Sequence, residues 1–168
     1  LQQESIPYKG FIFFGLISVK GEPYVIEYNC RLGDPETEVV IPRIKSDILD
    51  LFEGVASETL SERDVQFDEK TAVTIMLVSG GYPGDYDKGK TIRGTEGITD
   101  SLVFHAGTSE KGGKVVTNGG RVIAVTSYGK DIESAVERSL KNADVIDYDK
   151  KYFRRDIGKD LMKMPQQV

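Results

Sequence analysis

Cysteine and histidine are nearly absent from this sequence of 168 residues, with Cys30 and His105 the single example of each. One cysteine excludes an internal disulfide and fits a reducing, cytoplasmic compartment. The same scarcity excludes a zinc cluster of Cys and His within the chain. Long apolar runs are missing too. The longest, Phe11 to Val19, is broken by Gly15 and Ser18 and falls well short of the roughly 20 residues that span a bilayer. No membrane partner is expected. The opening Leu-Gln-Gln-Glu-Ser has neither the basic start nor the apolar segment of a signal peptide. Basic excess is lacking: the formal charge is −5, which argues against a nucleic-acid partner, because phosphate contacts need a basic face. No initiator Met opens the chain, and a piece of a longer protein is expected.

What is present suits a folded protein. Apolar residues make up 39% and charged residues 29%, far from a disordered composition and enough for one average domain or two small ones. Ile6 to Ser18 and Tyr24 to Tyr28 read as paired strands around a Lys20-Gly21-Glu22-Pro23 turn, with Pro23 stopping the ladder. Asp34-Pro35-Glu36 has the form of a helix start, Asp as cap and Pro in the first position. Ser46 opens the clearest helix, with Ile48, Leu49, Leu51, Phe52, Val55 and Ala56 on one stripe. Ser57 to Lys70 is polar and marks the expected domain boundary, giving domains 1–70 and 71–168. Short strands and Gly turns follow: 71–78, 91–93, 102–106, 115–117 and 120–128. Asp131 caps one more helix, with Ile132, Ala135, Val136 and Leu140 on one face. From Pro165 the tail is expected to fray.

The most informative stretch is Val25 to Glu36. Alternate strand residues share a face, so Glu27, Asn29 and Arg31 point the same way if the strand persists that far. Ile26, Tyr28 and Cys30 then face a core. A carboxylate and an amide oxygen are hard ligands suited to Mg²⁺ or Mn²⁺. An Arg two residues on can hold a phosphoryl group by two parallel hydrogen bonds. The same pattern is also what the wet face of an ordinary strand looks like.

The longer string Glu27-Tyr-Asn-Cys-Arg-Leu-Gly-Asp-Pro-Glu-Thr37 resembles the metal-binding strand of ATP-grasp ligases, and of the phosphoribosylamine–glycine ligase family in particular. Further segments agree in order: Tyr8-Lys-Gly-Phe11, Gly80-Gly-Tyr-Pro-Gly-Asp-Tyr86, Phe104-His-Ala-Gly-Thr108, Thr117-Asn-Gly-Gly-Arg-Val122 and Tyr152-Phe-Arg-Arg-Asp-Ile-Gly158. The resemblance implies an α+β fold: the C-terminal part of an ATP-grasp domain, then a small barrel-sandwich hybrid domain. It implies an enzyme that joins glycine to 5-phosphoribosylamine with ATP as co-substrate, through a glycyl phosphate. Glu27 and Asn29 match the family's Mg²⁺ or Mn²⁺ ligands. Arg31 would steady the phosphoryl oxygens, or the acyl phosphate, as the catalytic residue. Asp34 and Glu36 fall on the substrate side, where a carboxylate can hold an amine; for both, the helix-start role stays open, and for Glu36 it leads.

Arg154 and Arg155 are the other candidates, as a clamp for a phosphate monoester or as an ordinary solvated pair. The family's ATP-contacting lysines and hinge lie upstream of Leu1, so the chain alone is expected to be inactive. Its open sheet edge is a candidate for self-association. His105, without a neighbouring acid, reads as a structural donor. Asn118-Gly119 reads as a tight turn, and Gly80-Gly81 as a bare turn or a place where a loop approaches substrate. A second class of reading is a non-enzymatic carrier module, with Lys114 beside Gly112-Gly113 as the modified lysine; Lys163, between Met162 and Met164, falls in the tail and not in a hairpin. A covalent adduct in the mass of the chain would reveal it.

Overall fold

Lys20 and Gly21 both take positive φ, 55° and 88°, the conformation of a two-residue hairpin turn whose twist matches its flanking strands. In the computed structural model, which describes residues 1–163, this turn joins β1 (Phe13–Val19) to β2 (Glu22–Asn29). Pro23 does not stop the ladder: it lies inside β2, opposite Ser18. A two-stranded ribbon has free edges, where a missing N–H goes unneeded. The register shifts between Gly15 and Leu16, so Gly15 faces Glu27 while Leu16 faces Val25, and Ile26 is an unpaired bulge.

The described chain divides into two units, Leu1–Asp68 and a second that starts at Glu69. In the first, the helix expected from Asp34 begins later. α1 is Thr37–Val40, and Glu36 in its cap position makes no side-chain cap bond. Thr37 Oγ1 instead donates back to the Gly33 carbonyl. α2 is Ile48–Ser57, capped by Asp47, which accepts from the Leu49 and Asp50 amides. Ser46 is therefore not the cap. Its hydroxyl donates to the Asp64 carbonyl and accepts from the Gln66 amide, stitching the polar return segment to the helix start. Leu51 is the buried side chain of α2, whereas Leu49 and Phe52 are exposed; the inward stripe is narrower than the sequence implies.

The second unit is built on β3 (Thr71–Ser79) and β7 (Arg121–Gly129). With β4 (Leu102–His105) and β8 (Lys151–Tyr152) they form an antiparallel sheet in the order β4-β7-β3-β8. β5 (Thr108–Lys111) and β6 (Lys114–Thr117) make a separate hairpin. Thr91 and Arg93 contribute only isolated bridges, to Val116 and Asp147. β5 and β8 had no signal in the sequence. α3 (Ile132–Val145) starts at a reciprocal cap: Asp131 accepts from the Ser134 amide while the Ser134 hydroxyl accepts from the Asp131 amide. Its inward residues Ala135 and Val136 are buried, as the spacing implies. The core comprises Ile75, Leu77, Ile92, Val122, Ile123, Val125, Ala143, Ile146, Tyr148 and Phe153. Antiparallel sheets with packed helices make the chain α+β. Met164 and the tail from Pro165 lie outside the described residues.

Candidate functional site

Glu27 and Asn29 end β2 on one side of the ribbon, and the Asn29 amide donates to Glu27 Oε1 at 3.4 Å. The bulge at Ile26 lies directly before this pair, and bulges of this kind re-aim side chains. Gly15 faces Glu27 across the ladder, and a Cβ placed there would stand 3.1 Å from Glu27 Cγ. The glycine that interrupts the apolar run thus leaves the room in which the Glu27 side chain lies. The expected alternation told of Glu27 but not of Gly15, whose part is visible only once the register is known.

A carboxylate and an amide side by side, both accessible, are a fitting donor set for a hard divalent cation, because turning the amide presents its oxygen beside the carboxylate. Among the described residues no cluster of three or more His, Cys, Asp or Glu side chains is gathered for a metal. The pair would therefore leave most coordination positions to water and phosphate oxygens, the usual condition of Mg²⁺.

β2 stops at Asn29, so the alternation does not carry through to Arg31. The Arg31 guanidinium donates to the neighbouring Leu32 carbonyl at 2.8 Å in the bend that follows. Glu36 holds the cap position of α1 without a side-chain cap bond, and Asp34 lies exposed three residues ahead of the helix. Cys30 was expected to face a core together with Ile26 and Tyr28. All three are exposed, Ile26 at 66% and Tyr28 at 72%. An apolar recess of about 170 Å³ lies beside Asn29, lined by Ile6, Tyr8, Ile12, Tyr28 and Cys30. Tyr8 closes it by donating to the Phe11 and Cys30 carbonyls.

In the second unit Arg154 and Arg155 follow β8. Arg154 forks onto Asp156, with Nε to Oδ1 at 3.0 Å and an Nη to Oδ2 at 2.8 Å. Arg155 forks onto Asp144 in the last turn of α3 and lies 4.7 Å over the Phe153 ring. Each carboxylate is held below the ordinary aspartate range by its arginine. Lys151, with its side chain packed among the same residues, donates to the Ala143 and Asp144 carbonyls at 2.9 and 3.3 Å and to the Ile146 carbonyl. Burial pushes its ammonium below the usual lysine value.

The glycine-rich strings serve packing in this unit. Tyr82 lies flat against Gly120, and the backbones of Gly107 and Gly119 touch where any side chain would collide. Ser79 Oγ donates to the Gly119 carbonyl. His105 Nδ1 meets Thr108 Oγ1 at 3.1 Å, a structural contact. Gly112 and Gly113, both at positive φ, turn the β5–β6 hairpin beside Lys114.

The first unit thus presents a carboxylate–amide pair at the end of a hairpin strand, and the second is an α+β unit with a basic pair after its last strand. The family model described as phosphoribosylglycinamide synthetase, C domain, matches residues 72–160, just over half of the chain. The ATP-grasp (A) domain of the same synthetase matches residues 1–37. The chain belongs to the phosphoribosylglycinamide synthetase family. It is 40% identical over 158 residues to the phosphoribosylamine–glycine ligase of Caldanaerobacter subterraneus, covering 94% of this chain and 38% of that protein. It is 42% identical over 161 residues to the human trifunctional purine biosynthetic protein adenosine-3, covering 94% of this chain and 16% of that protein. Among solved structures, the phosphoribosylamine–glycine ligase of Thermotoga maritima superposes with a TM-score of 0.81 at 36% identity, covering 92% of this chain and 38% of that one. The chain thus spans well under half the length of these relatives. No helix among the described residues is long and apolar enough to cross a membrane.

Proposed function

We propose that this chain supplies the metal-holding end of the ATP-grasp domain, to about Lys70, and the C-terminal domain of a cytoplasmic phosphoribosylamine–glycine ligase. The observation that carries the reading is the Glu27–Asn29 pair, two hard donors at one strand end inside a segment that matches the ATP-grasp model. The reaction would run in two displacements. A glycine carboxylate oxygen attacks the γ-phosphorus of ATP, the bond to ADP breaks, and glycyl phosphate forms. The amine of 5-phosphoribosylamine then attacks the acyl carbon, phosphate leaves, and the nitrogen loses a proton.

Glu27 and Asn29 would hold Mg²⁺ or Mn²⁺, which when bound neutralises charge on the ATP phosphates. Arg31 would exchange its Leu32 carbonyl for the transferring phosphoryl oxygens, a stronger, charge-assisted partner. Asp34, exposed in the turn that follows β2, would accept from an amine substrate. The Arg154–Arg155 pair would receive the monoester phosphate of phosphoribosylamine. Alone, the chain is expected to be inactive and to self-associate through the open β1–β2 ribbon.

The test is ADP release dependent on ATP, glycine and phosphoribosylamine, in a ligase of the relatives' length carrying this chain. Loss of a metal ligand forfeits several kcal/mol of charge stabilisation, so Glu27→Gln should lower turnover about 100-fold or more. An unaffected Glu27→Gln would return the pair to the wet face of a strand. Turnover by the 168-residue chain alone would refute its expected inactivity.

A further inference from the structure

Arg154 and Arg155 are neighbours in sequence, yet the structure holds them in different ways. Arg154 is engaged by Asp156, two residues along the same exposed segment. That fork is the geometry a phosphate edge also offers. The carboxylate therefore stands where a ligand's oxygens would, and replacing it needs only side-chain rotation, since exposed local ion pairs are weak and salt-screened.

Arg155 is fixed from two sides. Its fork partner Asp144 belongs to α3, and its guanidinium lies over Phe153, which is part of the buried core. The Lys151 ammonium stands 5.4 Å from the same ring and binds the carbonyls that end α3. Drawing Arg155 toward a ligand would strip Asp144 of its partner, uncover Phe153 and leave Lys151 as the remaining cation on the ring. Such a cation–π contact is strongest where water is excluded.

We propose that the two arginines divide the work: Arg154 takes the phosphate monoester, with Asp156 as its displaceable stand-in, while Arg155 is a positioning residue that fixes the loop from which Arg154 reaches. This rests on the reading of the basic pair as a phosphate site. The division predicts which guanidinium a ligand touches, and adjacency in sequence does not.

The experiment is a titration of the ¹⁵N-labelled chain with ribose 5-phosphate, reading the arginine Nε–H signals, with ribose as the control lacking phosphate. The Arg154 signal should move saturably and the Arg155 signal should stay. Arg154→Ala should weaken binding about tenfold, the worth of a charged hydrogen-bond pair. Asp156→Asn should tighten it about threefold by removing the competing carboxylate. Arg155→Ala should lower the melting temperature and weaken binding, and Arg155→Lys, which keeps the charge but not the fork, should recover only part of the affinity. Movement of both signals, with equal losses in both alanine variants, would overturn the division while keeping the phosphate site. No movement of either signal at tens of millimolar ribose 5-phosphate would overturn the phosphate site and the proposal together. The wild-type titration decides this even if a variant fails to fold.

Discussion

β1–β2 and β3–β7 are both antiparallel strand pairs of similar length, yet the first buries no residue and the second exposes none. Along β7 every residue from Val122 to Ser127 is buried, and Ile75 and Leu77 of β3 are at most 1% exposed. In the ribbon, Phe14, Leu16, Ile17, Val19, Tyr24, Val25, Ile26 and Tyr28 are all exposed. The difference lies in what covers the strands, since both pairs are rich in β-branched and aromatic residues. α3, β4 and β8 shield β3–β7, whereas an isolated hairpin in water is marginal. The unit with its own core carries the chain's stability. The first unit presents the Glu27–Asn29 pair on a ribbon whose apolar side chains are exposed.

The largest test of that contrast is to remove the same side chain from both pairs. Leu77→Ala should cost about 3–4 kcal/mol, the transfer loss plus a cavity. It should shift the urea midpoint of the second unit accordingly. Leu16→Ala should cost under about 0.5 kcal/mol, as exposed positions do. Equal costs, read by circular dichroism, would show that the ribbon is covered in solution.

A second test asks whether the ribbon's geometry, rather than its stability, is what matters. Gly15→Val places carbon against Glu27, 3.1 Å from Cγ already at Cβ. It should weaken Mn²⁺ binding by about tenfold, the lower range for groups that orient ligands, with little change in melting. Paramagnetic broadening of the Asn29 side-chain amide measures it. Unchanged broadening would mean that Glu27 does not need the space.

Acid sharpens the contrast from the other side. Asp131 is held below its ordinary value of 3.8, chiefly by the Ser134 hydroxyl and then the Ser134 amide. Its folded value is lower than its unfolded one, so its contribution is complete above the ordinary aspartate range and is lost as pH falls through the folded value. Asp144, lowered chiefly by Arg155, follows the same sign. Melting of the second unit should therefore drop below about pH 4, modestly, because both carboxylates are exposed and screened. Asp131→Asn should flatten part of that drop and lower the neutral-pH melting temperature by a few degrees, as weakened caps do. A parallel acid curve in the variant would remove Asp131 from the account.

Local chemistry was readable in the sequence where a feature is set by a few adjacent residues. The Asp131 cap, the Lys20-Gly21 turn and the pairing of Glu27 with Asn29 are of this kind. Sequence failed where the outcome depends on distant chain. Cys30, Ile26 and Tyr28 alternate like core residues, but alternation says which side a residue faces and not what lies there. Asp34-Pro35 has a helix-start composition, yet the chain turns until Thr37. β5 and β8 are too short and polar to show a period. The unequal setting of Arg154 and Arg155 needs the end of α3 beside β8, which no spacing encodes.

The smallest expected effect bears on the ribbon's apolar surface itself. Ile17 pairs with Tyr24, and Leu16 with Val25, so successive pairs occupy opposite faces and both faces are apolar. Ile17→Thr and Val25→Thr keep β-branching, and therefore strand propensity, while removing apolar area from one face each. In a monomer, where these side chains already meet water, each should change stability by less than about 0.5 kcal/mol. If copies associate through one face, the variant on that face should lower the association constant, and its partner on the other face should not. Sedimentation at several concentrations separates the two. Equal weakening by both would mean edge pairing that buries both faces, and no change in either would leave the ribbon bare in solution.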